Sequence, residues 1–249
     1  MNAKRLSRLY RVPARQRGLT LIELLVGLVI ALFLLAGVVV VLQSVRQFFG
    51  SQAQMAQLQD NERLAMNLLT GVIQTAGYFP DPTANTPASS FPVAAPFAQV
   101  GQAVFGTANA AAPGDSITVR YLTASNDGVI NCIGGTNTSG ATQLYVNAFS
   151  IDNQGRLVCV FNGAAAVPLV QGLQNLQVSY GVKTDFSVDN RSVDSYLRAN
   201  EMTATNWSNV ISVRITLNFT NPLAGQPGQP ATIPFTRVID LMGQTGVKT

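Results

Sequence analysis

Glu23 is the residue whose chemistry most needs an explanation, because it is an acid at the edge of a long apolar segment. It lies two residues after Leu21 and immediately before residues 24–42, which carry no charged or strongly hydrogen-bonding side chain. An ionised carboxylate costs about 2.5–3.5 kcal/mol at the centre of a membrane helix and less near an interface. A carboxylate in this position usually has a partner, so we expect Glu23 to meet an opposite charge.

The rest of the sequence offers little catalytic chemistry. It contains no histidine, which excludes Ser-His-Asp and Cys-His catalysis and the ligation of metals by imidazole. Lys183 and Lys248 are the only lysines after residue 18, and no Ser-x-x-Lys motif is present. We therefore predict that the protein is not an enzyme and has no catalytic, cofactor-binding or metal-binding residues.

Six aspartates could in principle supply a paired-carboxylate site. They lie in sequence rich in Gly, Asn and Ser, which is typical of turns, and none has the spacing of a calcium-binding loop. We predict that they form turns. They are Asp115, Asp127, Asp152, Asp185, Asp189 and Asp194.

The two cysteines, Cys132 and Cys159, lie 27 residues apart. A metal site is disfavoured, because two thiolates without histidine fall short of four ligands. Both follow the apolar segment of residues 24–42, in a part of the chain that is expected outside the cytoplasm, where thiols become oxidised. We predict a disulfide between them.

Residues 24–42 predict a membrane-spanning helix. Nineteen residues at 1.5 Å each span about 28 Å, close to the thickness of a hydrocarbon core. Six basic residues lie within the first eighteen, and this asymmetry predicts a cytoplasmic N-terminus. A cleaved secretory signal is one alternative, although its apolar region is usually shorter and ends in a small-x-small site. An uncleaved single-pass anchor is another.

The positive charge of the chain belongs to this N-terminal segment. Removing six of the sixteen basic residues leaves ten against twelve acids, a net charge of about −2 after residue 18. A basic groove for a nucleic-acid backbone therefore has little support.

Residues 15–25, RQRGLTLIELL, resemble the signature of type IV prepilins, in which a basic leader ends in Gly and an apolar segment follows with an acid at its fifth residue. The resemblance implies cleavage after Gly18 by a prepilin peptidase and methylation of the new amine on Leu19. It also implies that Glu23 meets the N-terminal amine of a neighbouring subunit during assembly. Residues 19 and 23 have the i, i+4 spacing of one helical face. Leu19 departs from the usual Phe.

The downstream pattern predicts a helix and then strands. Residues 20–78 contain no proline and predict one rod that ends at Pro80, with two helices joined near Gly50 as the alternative. The predicted apolar stripe is Leu64, Leu68, Leu69, Val72, Ile73 and Ala76. Residues 80–114 are rich in proline and predict an irregular loop rather than a core element. Strands are predicted at 116–124, 143–151, 156–161, 173–183, 209–220 and 231–242, and a short helix at 193–203.

Together these elements predict a pilin-like α+β fold: a long N-terminal helix, first transmembrane and then amphipathic, packed on an antiparallel β-sheet head. The expected divisions are a leader over 1–18, a helix over 19–79 with residues 19–42 in the membrane or filament core and 43–79 amphipathic, and a β-rich head over 80–249.

Several later stretches are similar to the minor pilins of the PilW family. They are LQDNERLAMNLLTGVIQTAGYF at 58–79, the cysteine-containing DGVINC and LVC, and NWSNVISVRITLNF at 206–219. The resemblance implies a subunit that primes filament assembly within a minor-pilin complex. It implies other pilins, the prepilin peptidase and the inner-membrane assembly platform as partners, and a route from the inner membrane to an extracellular pilus. The alternatives are a minor pseudopilin of type II secretion and, more remotely, a membrane-tethered enzyme.

Overall fold

The computed structural model describes residues 18–185, 187 and 192–244, and it divides after Gly50 into two compact units. The first contains residues up to Gly50 and the second begins at Ser51. The predicted turn residue Asp189 lies outside the described residues.

The first helix, α1, spans Leu21–Gln74 without interruption at Gly50. It ends four residues before the predicted end, so Pro80 is not its terminator. The chain leaves the helix through Gly77, whose φ of +77° is the left-handed conformation that favours glycine. Beyond that turn, the Gly77 N–H donates to the Arg120 carbonyl (2.9 Å) and the Tyr78 carbonyl accepts from Leu122 N–H (2.8 Å). Backbone pairing with a strand thus replaces the last helical turn.

In the first unit, every described residue from 18 to 50 is exposed. Among the described residues, α1 is the one helix long and apolar enough to cross a membrane, judged by length and composition. The large apolar side chains of this unit are exposed, for example Phe33 by 75% and Leu21 by 80%.

In the second unit, residues 51–74 of α1 bury one face against the head. The buried residues of the helix are Leu58, Ala65, Met66, Leu69, Val72 and Ile73. The predicted stripe is wrong at Leu64, which is 49% exposed. Because successive helical residues are about 100° apart, a face centred on Leu69 and Ile73 takes in Ala65 and Met66 and turns Leu64 outward.

Nine strands form two antiparallel sheets in the described part of the chain. One sheet has the order β1-β2-β3-β4-β5 and the other β7-β6-β8-β9. The strands are β1 Val104–Thr107, β2 Ser116–Thr123, β3 Gln143–Ile151, β4 Arg156–Phe161, β5 Val167–Gln171, β6 Leu173–Val182, β7 Ser195–Arg198, β8 Val210–Thr220 and β9 Thr232–Asp240. Six of them confirm the predicted strands, with β3 and β4 at the predicted bounds.

Burial alternates along the β8 strand with two exceptions. Val213, Ile215, Leu217 and Phe219 are buried, whereas Ile211 is half-buried. Ser212 is buried, and its hydroxyl oxygen lies 3.2 Å from that of Tyr196.

Two sequence predictions are wrong in the head. The region 80–114 contains the one-turn helix α2 Pro87–Ser90 and the strand β1, and its Phe91 and Phe97 are buried. Residues 193–203 do not form a helix but β7 followed by a 3-10 turn at Ala199–Glu201; the short helix α3 follows at Ala204–Ser208. In both regions a short segment becomes a strand because it borders a stronger strand, β2 or β6.

A single apolar cluster joins the buried face of α1 to residues of both sheets. Leu69 and Ile73 of the helix belong to it, as do Phe149 of the five-stranded sheet and Ile215 of the four-stranded sheet. The predicted α+β fold, with a long apolar N-terminal helix packed on antiparallel sheets, is confirmed.

Candidate functional site: the N-terminal segment and the disulfide-bonded head

The Gly18–Leu19 peptide bond lies in an exposed, non-helical segment that precedes α1. Apart from its two neighbours in the chain, no heavy atom lies within 4 Å of the position that a Cβ on Gly18 would occupy. Within the described chain, both residues of this bond are exposed. The assignment of this bond as a cleavage site stays a prediction.

Thr20 fixes the start of the helix. Its carbonyl accepts from the N–H groups of Glu23 (3.1 Å) and Leu24 (3.2 Å), and its hydroxyl oxygen also accepts from Glu23 N–H (3.4 Å). A threonine followed three residues later by glutamate is the sequence pattern of an N-terminal capping box. The sequence pattern alone would have predicted a helix that starts at Thr20.

Glu23 lies in the first turn of α1, where a carboxylate is favoured by the unpaired N–H groups and the helix dipole. Leu19 precedes the first helical residue, Leu21, by two positions. The structure therefore does not place residues 19 and 23 on one helical face in this chain, because Thr20 starts the helix after Leu19. A shared helical face would require the helix to begin two residues earlier, at Leu19.

The apolar surface that follows Glu23 contains no charged residue before Arg46. Its leucines and valines from residue 24 to 45 are 43–67% exposed. At about 25 cal/mol per Å² of apolar surface, such a face is strongly driven to leave water. The segment offers no acid–base pair or nucleophile, and its chemistry is that of a membrane or helix-packing surface with one carboxylate at its start.

The predicted disulfide between Cys132 and Cys159 is present, with a Cα–Cα distance of 6.3 Å. Both cysteines are almost fully buried. Cys159 lies on β4, whereas Cys132 lies in the long connection between β2 and β3 and donates its backbone N–H to the Asn147 side chain (2.9 Å). The disulfide therefore ties that connection to the five-stranded sheet.

Asp115 is not the turn residue that the sequence predicted. It is 2% exposed, and its carboxylate accepts from the backbone N–H groups of Asn109 (2.9 Å) and Val178 (2.8 Å). An Arg198 guanidinium nitrogen lies 2.8 Å from it. Asp115 thus fastens the start of β2 to β6 and β7, a role that depends on residues distant in sequence.

Asp127 and Asp152 confirm the turn prediction. Asp127 accepts from the backbone N–H groups of Ala124 and Val129. Asp152 accepts from Gln154 N–H and from the backbone and side chain of Arg156. The side-chain hydrogen bond from Arg156 lowers the pKa of Asp152.

Asp185 and Asp194 form a second local arrangement. Asp194 accepts from the backbone N–H groups of Thr184 and Asp185, both at 2.7 Å, and these bonds hold its pKa below the usual range. Hydrogen bonds from Ser187 lower the pKa of Asp185. Among the described residues, no group of three or more acids or cysteines is arranged to hold a metal ion.

Arg120 is a second buried charge that the sequence did not reveal. It is 1% exposed and donates to the carbonyls of Gln102 (2.7 Å), Pro92 (2.8 Å) and Phe91 (3.3 Å). Its guanidinium carbon lies 4.3 Å from the centre of the Phe97 ring. Burial lowers the pKa of Arg120 to about 10. The residue holds segment 91–102 against β2 and is structural.

Comparison with known proteins gives two family matches. Residues 134–232 match the model of the type IV pilus-assembly protein W, PilW. Residues 13–39 match the prokaryotic N-terminal methylation motif. None of the curated proteins matches the chain. The second match covers Gly18, Leu19 and Glu23, and the first covers the head from the disulfide-bonded connection to the start of β9.

Proposed function

We propose that this chain is a PilW-like type IV prepilin and a minor pilin that helps to prime the assembly of a type IV pilus. The observation that carries the proposal is the methylation-motif match over residues 13–39, because it coincides with an exposed Gly18–Leu19 bond and an acid in the first turn of an exposed apolar helix. The PilW match in the head supports a pilus rather than a type II secretion pseudopilus.

In the proposed pathway, the prepilin peptidase removes residues 1–18 at the cytoplasmic face of the inner membrane, and the amine of Leu19 is methylated. Residues 19–42 remain in the membrane as a single anchor, with the head outside the cytoplasm. During assembly the apolar helix exchanges lipid for the helices of other pilins. Glu23 meets the amine of a neighbouring subunit, so neither charge is buried alone.

The division into a leader over 1–18, a helical part over 19–79 and a head over 80–249 belongs to this proposal. The assembly platform of the inner membrane is the proposed partner that lifts the subunit out of the membrane. The chemistry of the head is that of a structural domain, since among the described residues the acids lie in separate local networks.

The experiment is mass mapping of the N-terminus of the protein taken from sheared filaments. A terminus at N-methyl-Leu19 is expected. As a matched pair, Gly18→Val should retain the leader, whereas Gly50→Val should be cleaved normally, because Gly50 has open space around it and lies far from the bond. An intact Met1 terminus on protein taken from filaments would overturn the proposal.

A further inference from the structure

Arg46 marks the far end of the apolar surface of α1. It is the one charged residue between Glu23 and Asp60, and it lies in the first unit, where every described residue is exposed. Residues 23 and 46 are 23 positions apart on one continuous helix, which places them about 35 Å apart along its axis. A hydrocarbon core is about 30 Å thick. The two charges therefore have the spacing of the two faces of a membrane.

Arg46 has no counter-charge on its own helix. An ion pair on a helix surface needs an acid three or four positions away. The residues at those positions are Leu42, Gln43, Phe49 and Gly50. Neither of the two ion pairs found among the described residues includes Arg46. Its guanidinium is a fork of N–H donors that matches the oxygens of a carboxylate or a phosphate, so its partner has to come from outside the described chain.

Two aromatic side chains follow Arg46 directly. Phe48 is 60% exposed and Phe49 is 63% exposed, and their ring centres lie 6.1 Å apart in an edge-to-face arrangement. Phe49 is three positions after Arg46, so the two residues share one helical face. Side chains on a helix lean toward its N-terminus, which is the end that carries Glu23. The rings therefore lean toward the apolar surface of the helix and extend it past the arginine.

The combination of one cation and two aromatic rings selects the kind of partner. A membrane surface presents acyl chains and, directly above them, a layer of phosphate groups. The rings of Phe48 and Phe49 would be covered by acyl chains, and the long side chain of Arg46 can keep its charged end at the level of the phosphates. A soluble anion would neutralise Arg46 but leave both rings in water. A phospholipid supplies both contacts at once.

We propose that residues 46–49 bind a phospholipid of the leaflet that faces away from the cytoplasm. The Arg46 guanidinium donates to the lipid phosphate, and the rings of Phe48 and Phe49 pack on the upper part of the acyl chains. This contact fixes the depth of α1 in the membrane and keeps Glu23 at the opposite face.

The inference rests on the proposed function, which supplies the membrane anchor and its orientation. It goes beyond that function by assigning a ligand, the phosphate of a phospholipid, and the residue that binds it. The apolar segment alone would hold the chain in a bilayer but would leave it free to slide along the membrane normal. A cation bound to the phosphate layer removes that freedom.

The test measures the depth of the helix with a nitroxide label on the full-length protein in vesicles. The label is attached to Ser44→Cys, the one free thiol, because the two native cysteines form the disulfide. Ser44 is exposed and lies two positions before Arg46, so the label is on a different side of the helix. The ratio of its accessibility to oxygen and to a water-soluble nickel chelate rises as the label sinks into the bilayer.

Two vesicle compositions separate phosphate binding from the mere avoidance of hydrocarbon by a charge. In phosphatidylglycerol, Arg46→Gln should raise the accessibility ratio several-fold, whereas the control Arg63→Gln, an exposed arginine later in α1, should leave it unchanged. In galactosyl diacylglycerol, which has no phosphate, the difference between wild type and Arg46→Gln should be several-fold smaller. Equal differences in the two lipids, or no difference in phosphatidylglycerol, would overturn the inference.

A second measurement uses the double variant Phe48→Ser/Phe49→Ser, with the exposed residues of Val93→Ser/Val100→Ser as the control pair. The aromatic variant should lower the accessibility ratio several-fold, because the label moves toward water, and the control should not change it. The fluorescence of Trp207 checks that the head of each variant is folded. An unchanged ratio in the aromatic variant would overturn the inference while the chain still inserts, so the pilin function would stand. Wild-type protein that inserts into neither vesicle would overturn both.

Discussion

The helix α1 is continuous, but its apolar residues are exposed before Gly50 and partly buried after Ser51. Leu34, in the first part, is 67% exposed, whereas Leu69, in the second, is fully buried. The second part is stabilised by the head that it packs against, because tertiary packing supplies most of the stability of a protein helix. The first part has no such cover within its own unit. Its stability must come from a membrane or from other subunits.

The largest expected effect is on filament assembly and not on folding. Glu23→Val should leave leader cleavage intact but hold the subunit in the membrane, because the amine of a neighbouring subunit would then be buried without its counter-charge. Fractionation into membrane and sheared filaments measures this. Asp60→Val, an exposed acid later in α1, is the control and should assemble normally. Normal incorporation of Glu23→Val would show that the acid has no assembly role.

A matched pair of leucines tests the difference between the two parts of α1. Leu69→Ala should lower the free energy of unfolding of the head by about 4 kcal/mol, because it removes a fully buried side chain and leaves a cavity. Leu34→Ala should leave that free energy unchanged. Denaturant unfolding of the full chain in detergent, followed by the fluorescence of Trp207, measures both. Similar losses from the two variants would contradict the division into a self-supporting head and an externally supported anchor.

The disulfide links two residues of the head, so its loss should lower the stability of the head. Cys132→Ala/Cys159→Ala should lower the free energy of unfolding by about 3–4 kcal/mol, since the bond closes a loop with a sequence separation of 27 residues. Membrane insertion and leader cleavage should be unaffected. A reducing agent should destabilise the wild type by a similar amount and leave the double variant unchanged. A variant as stable as the oxidised wild type would refute this role.

The smallest expected effect is on the pH dependence of the stability of the head. The hydrogen bonds from Arg156 hold the pKa of Asp152 below its usual 3.8. Asp152 therefore stabilises the head above about pH 3.8, and this contribution is lost as the pH falls through the lower folded-state pKa. The difference in melting temperature between wild type and Asp152→Asn should be small at neutral pH and shrink below pH 3.8. Arg156→Met should behave similarly, and a difference that grows on acidification would be inconsistent with this assignment.

Much of the fold could be predicted from local patterns. The first and last residues of β3 and β4 agree with the prediction, because turn residues such as Asp152 and Gly155 interrupt the strand pattern between them. The strands β1, β5 and β7 were missed because each has only four or five residues and a weak pattern. They are strands because a longer neighbour supplies their hydrogen bonds.

For the candidate site, the sequence by itself determined the apolar segment, the acid at its start, the glycine before it and the pair of cysteines. These are signals of composition and short spacing, which do not depend on the rest of the fold. The tertiary structure alone decided which charges are buried. Asp115 pairs with a residue 83 positions away, and Arg120 donates to carbonyls 18 to 29 positions away. Burial depends on such distant partners, and no local pattern encodes them.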